Sequence, residues 1–243
     1  MEAVSHPDEV GMQTLTFLSK TDALNEWVYQ SIQPYLKGEI LEIGSGIGNI
    51  SKFLIRDNYS VTLSDYNPEY CQILKKNYGH LPNIKGIEQI NLQNDSYQDD
   101  YFLMKESFDT IFLLNVIEHI KDDEKAVTIC KFLLKKGGNL IMLAPSYSFL
   151  YCRMDKELGH FRRYTLSKLA ALCSNAGLNV IHKQYFNVLG IAGWLVSGKL
   201  LTHPSLRKNE LDLFNKLVPL AKLLDRLVMK SIGLSSIIIA KKT

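Results

Sequence analysis

The sequence predicts an α/β fold built on a mostly parallel sheet with helices on both faces. Short apolar runs alternate with helix-spaced segments along most of the chain, the pattern of strands buried on both sides by crossover helices. A run of alternate glycines, Glu42-Ile-Gly44-Ser-Gly46-Ile-Gly48, directly follows the apolar pair Ile40-Leu41. It places a sharp backbone turn where a strand gives way to a helix. At 243 residues, with 46% hydrophobic and 22% charged, the chain suits one such domain plus an appended element.

Residues 21–36 carry Leu24, Trp27, Val28, Ser31, Ile32 and Tyr35 at helical spacing, with Thr21 as N-cap, inside an N-terminal helical cap over about residues 12–37. Residues 39–43 form a first strand, 47–57 a helix, 60–64 a second strand and 68–78 a second helix. A third strand covers 84–92, and the fully apolar 110–114 is a fourth. Residues 122–134 are helical and stop at Lys135-Lys136-Gly137-Gly138, basic residues for the last turn and glycine for the exit. A fifth strand over 139–144 is broken by Pro145; a helix over 166–176 stops at Gly177, and 178–186 is a strand. The last strand, 235–240, follows only after about 48 further residues. Those hold an almost wholly apolar helical pattern at 189–201 and a stripe of Leu211, Phe214, Leu217, Val218, Ala221, Leu224, Leu227 and Val228. Residues 1–187 and 235–243 are therefore assigned to the core, and 188–234 to a helical insertion or lid.

The net charge of +3 gives no reason to expect a nucleic-acid partner. The charge is local: residues 199–230 hold seven Lys or Arg against three acids. Cys71, Cys130, Cys152 and Cys173 are scattered, with no C-x-x-C pair, and read as reduced thiols of a cytoplasmic protein. The amino-terminal residues have neither a basic nor an apolar region of a secretory signal, and no run is long enough for a membrane span.

The spacing of the glycines bears on the ligand. Dinucleotide sites use G-x-G-x-x-G, but here Asn49 stands at the third glycine position and Gly48 comes one residue early. That suits S-adenosylmethionine, which lacks a phosphate, better than NAD. Asp65 ends the second strand 17 residues after Gly48, where a carboxylate can accept hydrogen bonds from ribose hydroxyls. Tyr66 is placed to lie along the adenine. Asn91-Leu92-Gln93-Asn94-Asp95 supplies candidates for the adenine amine, and Asn115 ends the fourth strand beside the cofactor. Glu118 and His119 open a loop over the site.

Taken in order, the glycine loop, Asp65, Ser107-Phe108-Asp109, Asn115-Val-Ile-Glu118-His119 and Leu134-Lys-Lys-Gly137-Gly138 resemble class I S-adenosylmethionine-dependent methyltransferases, in particular the ubiquinone-methyltransferase-like type 11/12 group. The resemblance covers about residues 24–187. It implies a Rossmann-like, doubly wound, seven-stranded sheet whose last strand, 235–240, is antiparallel. It further implies in-line transfer of a methyl group from the sulfonium, with S-adenosylhomocysteine as product, and cofactor contacts from Glu42, Gly44, Gly46, Gly48, Asp65, Tyr66, Leu92 and Asn115. Asn91 departs from the pattern, since relatives often carry Asp there.

After the fifth strand come Tyr147, Tyr151, Asp155, Glu157, His160, Arg162, Arg163 and Tyr164. Gly159-His160-Phe161-Arg162-Arg163-Tyr164 resembles the G-H-x-R-[KR]-[YF] segment of quinone-type O-methyltransferases, implying O-methylation of a small or lipid-linked acceptor. His160, with His119 second, is the candidate proton acceptor, because imidazole titrates near neutrality. Arg162 and Arg163 could neutralise an anionic acceptor, with Tyr151, Tyr164 and Trp194 around it. The competing reading is a clasp in which the same His and Arg tie the loop to the sheet. Glu118, His119 and His160 are a ligand set of the right chemistry for a divalent ion. Asn115, however, stands where metal-using relatives often have a carboxylate, so no metal is predicted. The insertion reads as a lid over an apolar acceptor that also docks on anionic lipid through Trp194, or as a cap that completes the core. The rival functions are an NAD-dependent oxidoreductase and a methyltransferase-like binding protein without turnover.

Overall fold

The computed structural model describes residues 7–203, 205 and 207–243. Among the described residues two helices come first, α1 (Pro7–Leu18) and α2 (Asp22–Ile32), so helix is already present ahead of residue 12. Thr21 stands at the N-cap of α2 but does not cap with its side chain; its hydroxyl donates back to the Leu18 carbonyl at 2.8 Å. Then follow β1 (Ile40–Ile43), α3 (Ser51–Arg56), β2 (Val61–Asp65), α4 (Pro68–Tyr78), β3 (Ile84–Gln89) and a short α5 (Tyr97–Asp100). The second half continues with β4 (Phe108–Leu114), α6 (Asp123–Leu133), β5 (Leu134–Pro145), a short α7 (Arg153–Glu157), α8 (Leu166–Asn175) and β6 (Leu178–Phe186). Last come α9 (Val188–Trp194), a π-helical turn (Leu195–Leu200), α10 (Lys208–Leu227) and β7 (Ser235–Lys242).

Helix starts follow their caps. Asn67 accepts from Glu69 N at 2.9 Å ahead of Pro68, and Asp122 accepts from Lys125 N at 3.0 Å, each satisfying an orphan first-turn donor. The end of α6 corrects the sequence reading. Its C-cap, Leu134, is already extended, and Lys135-Lys136-Gly137-Gly138 belong to β5. There they form a bulge, since Phe108 pairs with Leu134 but Thr110 pairs with Asn139. The cation at the carboxyl end of α6 comes instead from β7: Lys242 Nζ donates to the carbonyls of Lys131 at 2.8 Å and Leu134 at 2.7 Å. β5 also runs on through Pro145, paired with Ser235. β3 stops at Gln89, short of Leu92, and α3 begins at Ser51 rather than residue 47.

The seven strands form one sheet in the order β3-β2-β1-β4-β5-β7-β6. β7 is antiparallel to both neighbours and the other pairs are parallel. Residue parity sorts the core into two layers. Leu41, Ile43, Ile111, Leu113, Leu140 and Met142 face α6 and α8, whereas Ile40, Phe112, Ile141, Leu143 and Ile237 face α2, α3, α4 and α10. Every parallel strand therefore ends at one edge, and the loops leaving that edge gather at the point where strand order reverses between β1 and β4.

The insertion is held from both ends. Asp225 of α10 accepts from Asn187 N and Val188 N, both at 2.7 Å, at the start of α9. On the other side, Asn215 and Lys222 of α10 bond Leu24 N at 3.1 Å and Gln30 at 3.0 Å on α2. Leu211, Val218 and Ala221 are buried, so the inner face of α10 completes the second core layer. Leu227, counted in that stripe from spacing, instead points to water.

Candidate active site

The glycine loop leaves β1 over the sheet edge. Gly44 N and Ser45 N both donate to the Ser64 carbonyl, at 2.9 and 2.8 Å. Gly44 has φ +75°, and a Cβ there would lie 2.3 Å from Val116 Cγ2. Only glycine fits that approach. Asn49 Nδ2 donates to the Leu15 carbonyl at 2.9 Å, and a Cβ on Gly46 would meet Leu15 at 3.0 Å. α1 thus lies across the loop.

Beneath it, Glu42 is buried and accepts from Ser51 Oγ at 2.5 Å. Burial pushes its carboxyl up to about 7 despite the serine donors. Asp65 ends β2 as expected. Its two oxygens accept from Gly46 N and Asn67 N, both at 2.9 Å, so it braces the glycine loop against the start of α4. Burial raises its pKa, with the backbone donors acting against the rise. Tyr66 is 68% exposed and, with Asn67, Pro68, Glu69 and Gln89, lines a cavity of about 390 Å³ beside Asp65. Leu92 does not present its side chain here; it is buried in the core. Asn91 turns its own amide oxygen onto Gln93 N at 2.8 Å. Asn115 is exposed, with φ +55°, its N–H held by the Leu143 carbonyl at 2.8 Å. Glycines that permit close approach, a strand-end carboxylate and an open cavity with an exposed aromatic flank fit an adenosyl group.

The loop after β4 and the segment 159–164 meet over the same edge. Phe161 N donates to the Glu118 carbonyl at 2.8 Å, and Tyr164 bridges to Ser146 beside the end of β5. Asp155, on α7, is the hub. One of its oxygens is 2.8 Å from His160 Nδ1 and 2.8 Å from Arg163 Nε, and the other accepts from Cys152 N at 2.9 Å. Burial alone would raise Asp155; His160 and Arg163 outweigh it and hold the carboxyl below its ordinary value. Asp155 lies five residues before His160, a spacing that one helical turn and a bend bring together, and this was the detectable signal for a pairing that sequence did not assign.

Most of the residues predicted to contact the acceptor also bond within the protein. Arg163 is buried, donates to the Ser146 carbonyl at 3.2 Å and lies 4.4 Å from the Trp194 ring centre. Arg162 pairs with Asp123 at 2.8 Å, and the Tyr164 hydroxyl donates to the same carboxylate at 2.7 Å. Tyr151 donates to the His160 carbonyl at 2.6 Å. Trp194 donates from Nε1 to the Leu150 carbonyl at 3.1 Å, so it is turned inward onto the loop. Arg163 and Tyr164 are thus tied into a clasp, while His160 shares the Asp155 carboxylate and His119 lies against the His160 ring.

His119 and His160 meet edge to face with ring centres 4.6 Å apart. His119 is exposed on one side, yet its surroundings and the neighbouring His160 push its pKa down. Glu118 is fully buried, and neither carboxyl oxygen has a hydrogen-bond partner. Burial raises it to about 8, which favours its protonated form. One ligand atom each from Glu118, His119 and His160 lie within 4.8 Å of one another.

Comparison with known proteins agrees with this architecture. The family model for a methyltransferase domain matches residues 14–183. A ubiquinone biosynthesis O-methyltransferase of Xanthomonas euvesicatoria is 25% identical over 166 residues, 63% of this chain and 67% of the relative. An S-adenosylmethionine-dependent methyltransferase of Archaeoglobus fulgidus superposes with a TM-score of 0.56 at 15% identity, over 90% of this chain and 94% of that one. An N-methyltransferase of Haemonchus contortus, solved with phosphomonomethylethanolamine and S-adenosylhomocysteine, gives 0.57 at 17% identity, over 90% of this chain and 52% of that one. The antiparallel β7 and the one-residue shift in glycine spacing argue in the same direction, against a dinucleotide oxidoreductase. The chain belongs to the methyltransferase domain family and is a class I S-adenosylmethionine-dependent methyltransferase.

Proposed function

We propose that this enzyme methylates a hydroxyl oxygen on a small or lipid-linked acceptor, with His160 as proton acceptor. The observation that carries the proposal is the 2.8 Å contact between His160 Nδ1 and the buried, anionic Asp155. A carboxylate on Nδ1 keeps that nitrogen protonated and leaves Nε2 as the base. When bound, S-adenosylmethionine supplies an electrophilic methyl group on a sulfonium. Asp65 would accept its ribose hydroxyls, the Gly44–Gly48 backbone would pass close to it, Tyr66 would lie along the adenine, and Asn115 would line the reacting end. His119 stays neutral through the physiological range and serves as a hydrogen-bonding partner to the acceptor. The enzyme works in the cytoplasm, with the 188–234 insertion in peripheral contact with a membrane where a lipid-linked acceptor is presented.

The test is a product-detecting screen against phenols, quinone precursors, glycans and lipid-linked sugars, after calorimetry with S-adenosylhomocysteine. Methylation at oxygen, and loss of about 10²–10⁴ in turnover for His160→Gln with cofactor affinity kept, supports the reading. Methylation at nitrogen or carbon, or full turnover in His160→Gln, overturns it. Asp65→Ala should weaken S-adenosylhomocysteine binding. Cofactor binding without any turnover would instead favour a binding protein.

The orphaned carboxylate of Glu118 favours a second reading, in which a divalent cation joins Glu118 to His119 and His160 and replaces the proton. Buried carboxylates are normally paired or metal-bound. Metal titration followed by calorimetry checks it: binding lost in Glu118→Gln supports the site, and no binding of Zn²⁺, Mn²⁺ or Mg²⁺ removes it.

A further inference from the structure

α10 carries two apolar faces. Helical spacing puts Leu211, Val218 and Ala221 on the core side and Leu213, Leu220, Leu223 and Leu227 on the opposite side. The outer four are 60%, 46%, 52% and 68% exposed. A helix that only covers a core turns polar side chains to water, so this stripe has an unfilled purpose. Lys216 lies within it, between Leu213 and Leu220, and Arg226 borders it; both are exposed, and no ion pair among the described residues uses either. Two of the three acids nearby are engaged elsewhere. Asp225 is turned inward onto the start of α9, Glu210 sits 3.1 Å from His203, and Asp212 is half-buried at the margin.

We propose that the outer face of α10 docks on an anionic lipid surface, the four leucines entering the acyl boundary and the two cations meeting headgroups. Charge decides the occupant. With seven Lys or Arg against three acids over residues 199–230, this part of the chain matches a surface of opposite charge better than a second copy of itself. An anionic bilayer complements both halves of the pattern. No helix of the described residues is long and apolar enough to cross a membrane, so contact is at the surface. The anchor is also not Trp194, which is committed to Arg163 and Leu150. This deepens the peripheral reading above and rests on it, but not on methyl transfer, because binding is scored without turnover.

The test is co-sedimentation of the full chain with phosphatidylcholine vesicles, with and without phosphatidylglycerol, at about 0.05 and about 0.5 M salt. Preferential binding to the anionic vesicles, reduced by salt, is expected. Each surface cation contributes about fivefold, so Lys216→Gln/Arg226→Gln should weaken binding by about 25-fold. Leu220→Ser/Leu223→Ser should weaken it more than about tenfold, with melting temperature and S-adenosylhomocysteine affinity unchanged. Equal partitioning into both vesicles, no partitioning, or unchanged binding in the variants overturns the proposal. So does a dimer in solution that the leucine variants abolish. If turnover on a soluble phenol fails while vesicle binding holds, the acceptor reading falls and this one stands.

Discussion

Replacing Gly44 by alanine tests whether the glycine loop is shaped by steric necessity. At φ +75° an L-residue gives up about 1–2 kcal/mol. The new methyl group would lie 2.3 Å from Val116 Cγ2, whereas carbon atoms sit comfortably at about 3.5–4.0 Å. Val116 must shift or leave its rotamer, an overpacking cost of about 1–3 kcal/mol. The total, about 2–5 kcal/mol, is a large part of the roughly 5–15 kcal/mol that holds a domain together. Urea unfolding gives the stability directly, and the melting point should fall by roughly 5–15 °C. The double variant Gly44→Ala/Val116→Ala isolates the contact. Removing Cγ2 should return about 1–3 kcal/mol of steric cost and leave the dihedral cost, a non-additive result. If the two substitutions add, or Gly44→Ala lies within about 0.5 kcal/mol of the parent, the steric account of this loop is wrong.

Asp155→Ala should cost about 3–5 kcal/mol in denaturant, because it leaves Arg163 charged and buried without its partner. Glu42 has a native pKa near 7 against an ordinary value of 4.5, so the folded state holds its proton more tightly. Stability should fall as pH rises from about 4.5 to about 7, by up to about 3 kcal/mol, and Glu42→Gln should lose that part of the slope. Trp194→Phe keeps the ring over Arg163 but loses the bond to Leu150, costing about 1 kcal/mol in urea unfolding; an unchanged midpoint would mean the tie carries no energy.

The order and type of the principal elements were legible because each strand is a short apolar run bounded by polar or glycine punctuation. α4 and β6 even kept their ends, since Asn67-Pro68 and Gly177 punctuate chain positions locally. Errors came where a distant residue did a local job. Lys135 and Lys136 look like the basic end of α6, but Lys242, more than a hundred residues later, supplies the cation. Once that position is satisfied from outside, the chain is free to turn directly into β5. The helical turns of α1 ahead of residue 12 were missed because residues 7–11 carry little apolar periodicity; its contacts to the glycine loop lie in three dimensions.

The same distinction explains why the donor side reads clearly and the acceptor side does not. The glycine loop and Asp65 sit at the ends of adjacent strands, so spacing along the chain maps directly onto space. His160 and Arg163 are also close in sequence, but their meaning depends on Asp155. That carboxylate oxygen meets both the Arg163 guanidinium and the His160 ring nitrogen at 2.8 Å. A sequence lists both donors without dividing the acceptor between them. The division matters: Arg163 takes Nε, the Ser146 carbonyl and the Trp194 ring, so it is spent on holding the insertion to the loop after β5. With the arginine fully committed, Asp155 can be both structural and an orienting group for His160. Loss of Arg163 should therefore unfasten the loop, whereas loss of His160 should leave the clasp intact and remove the base proposed above.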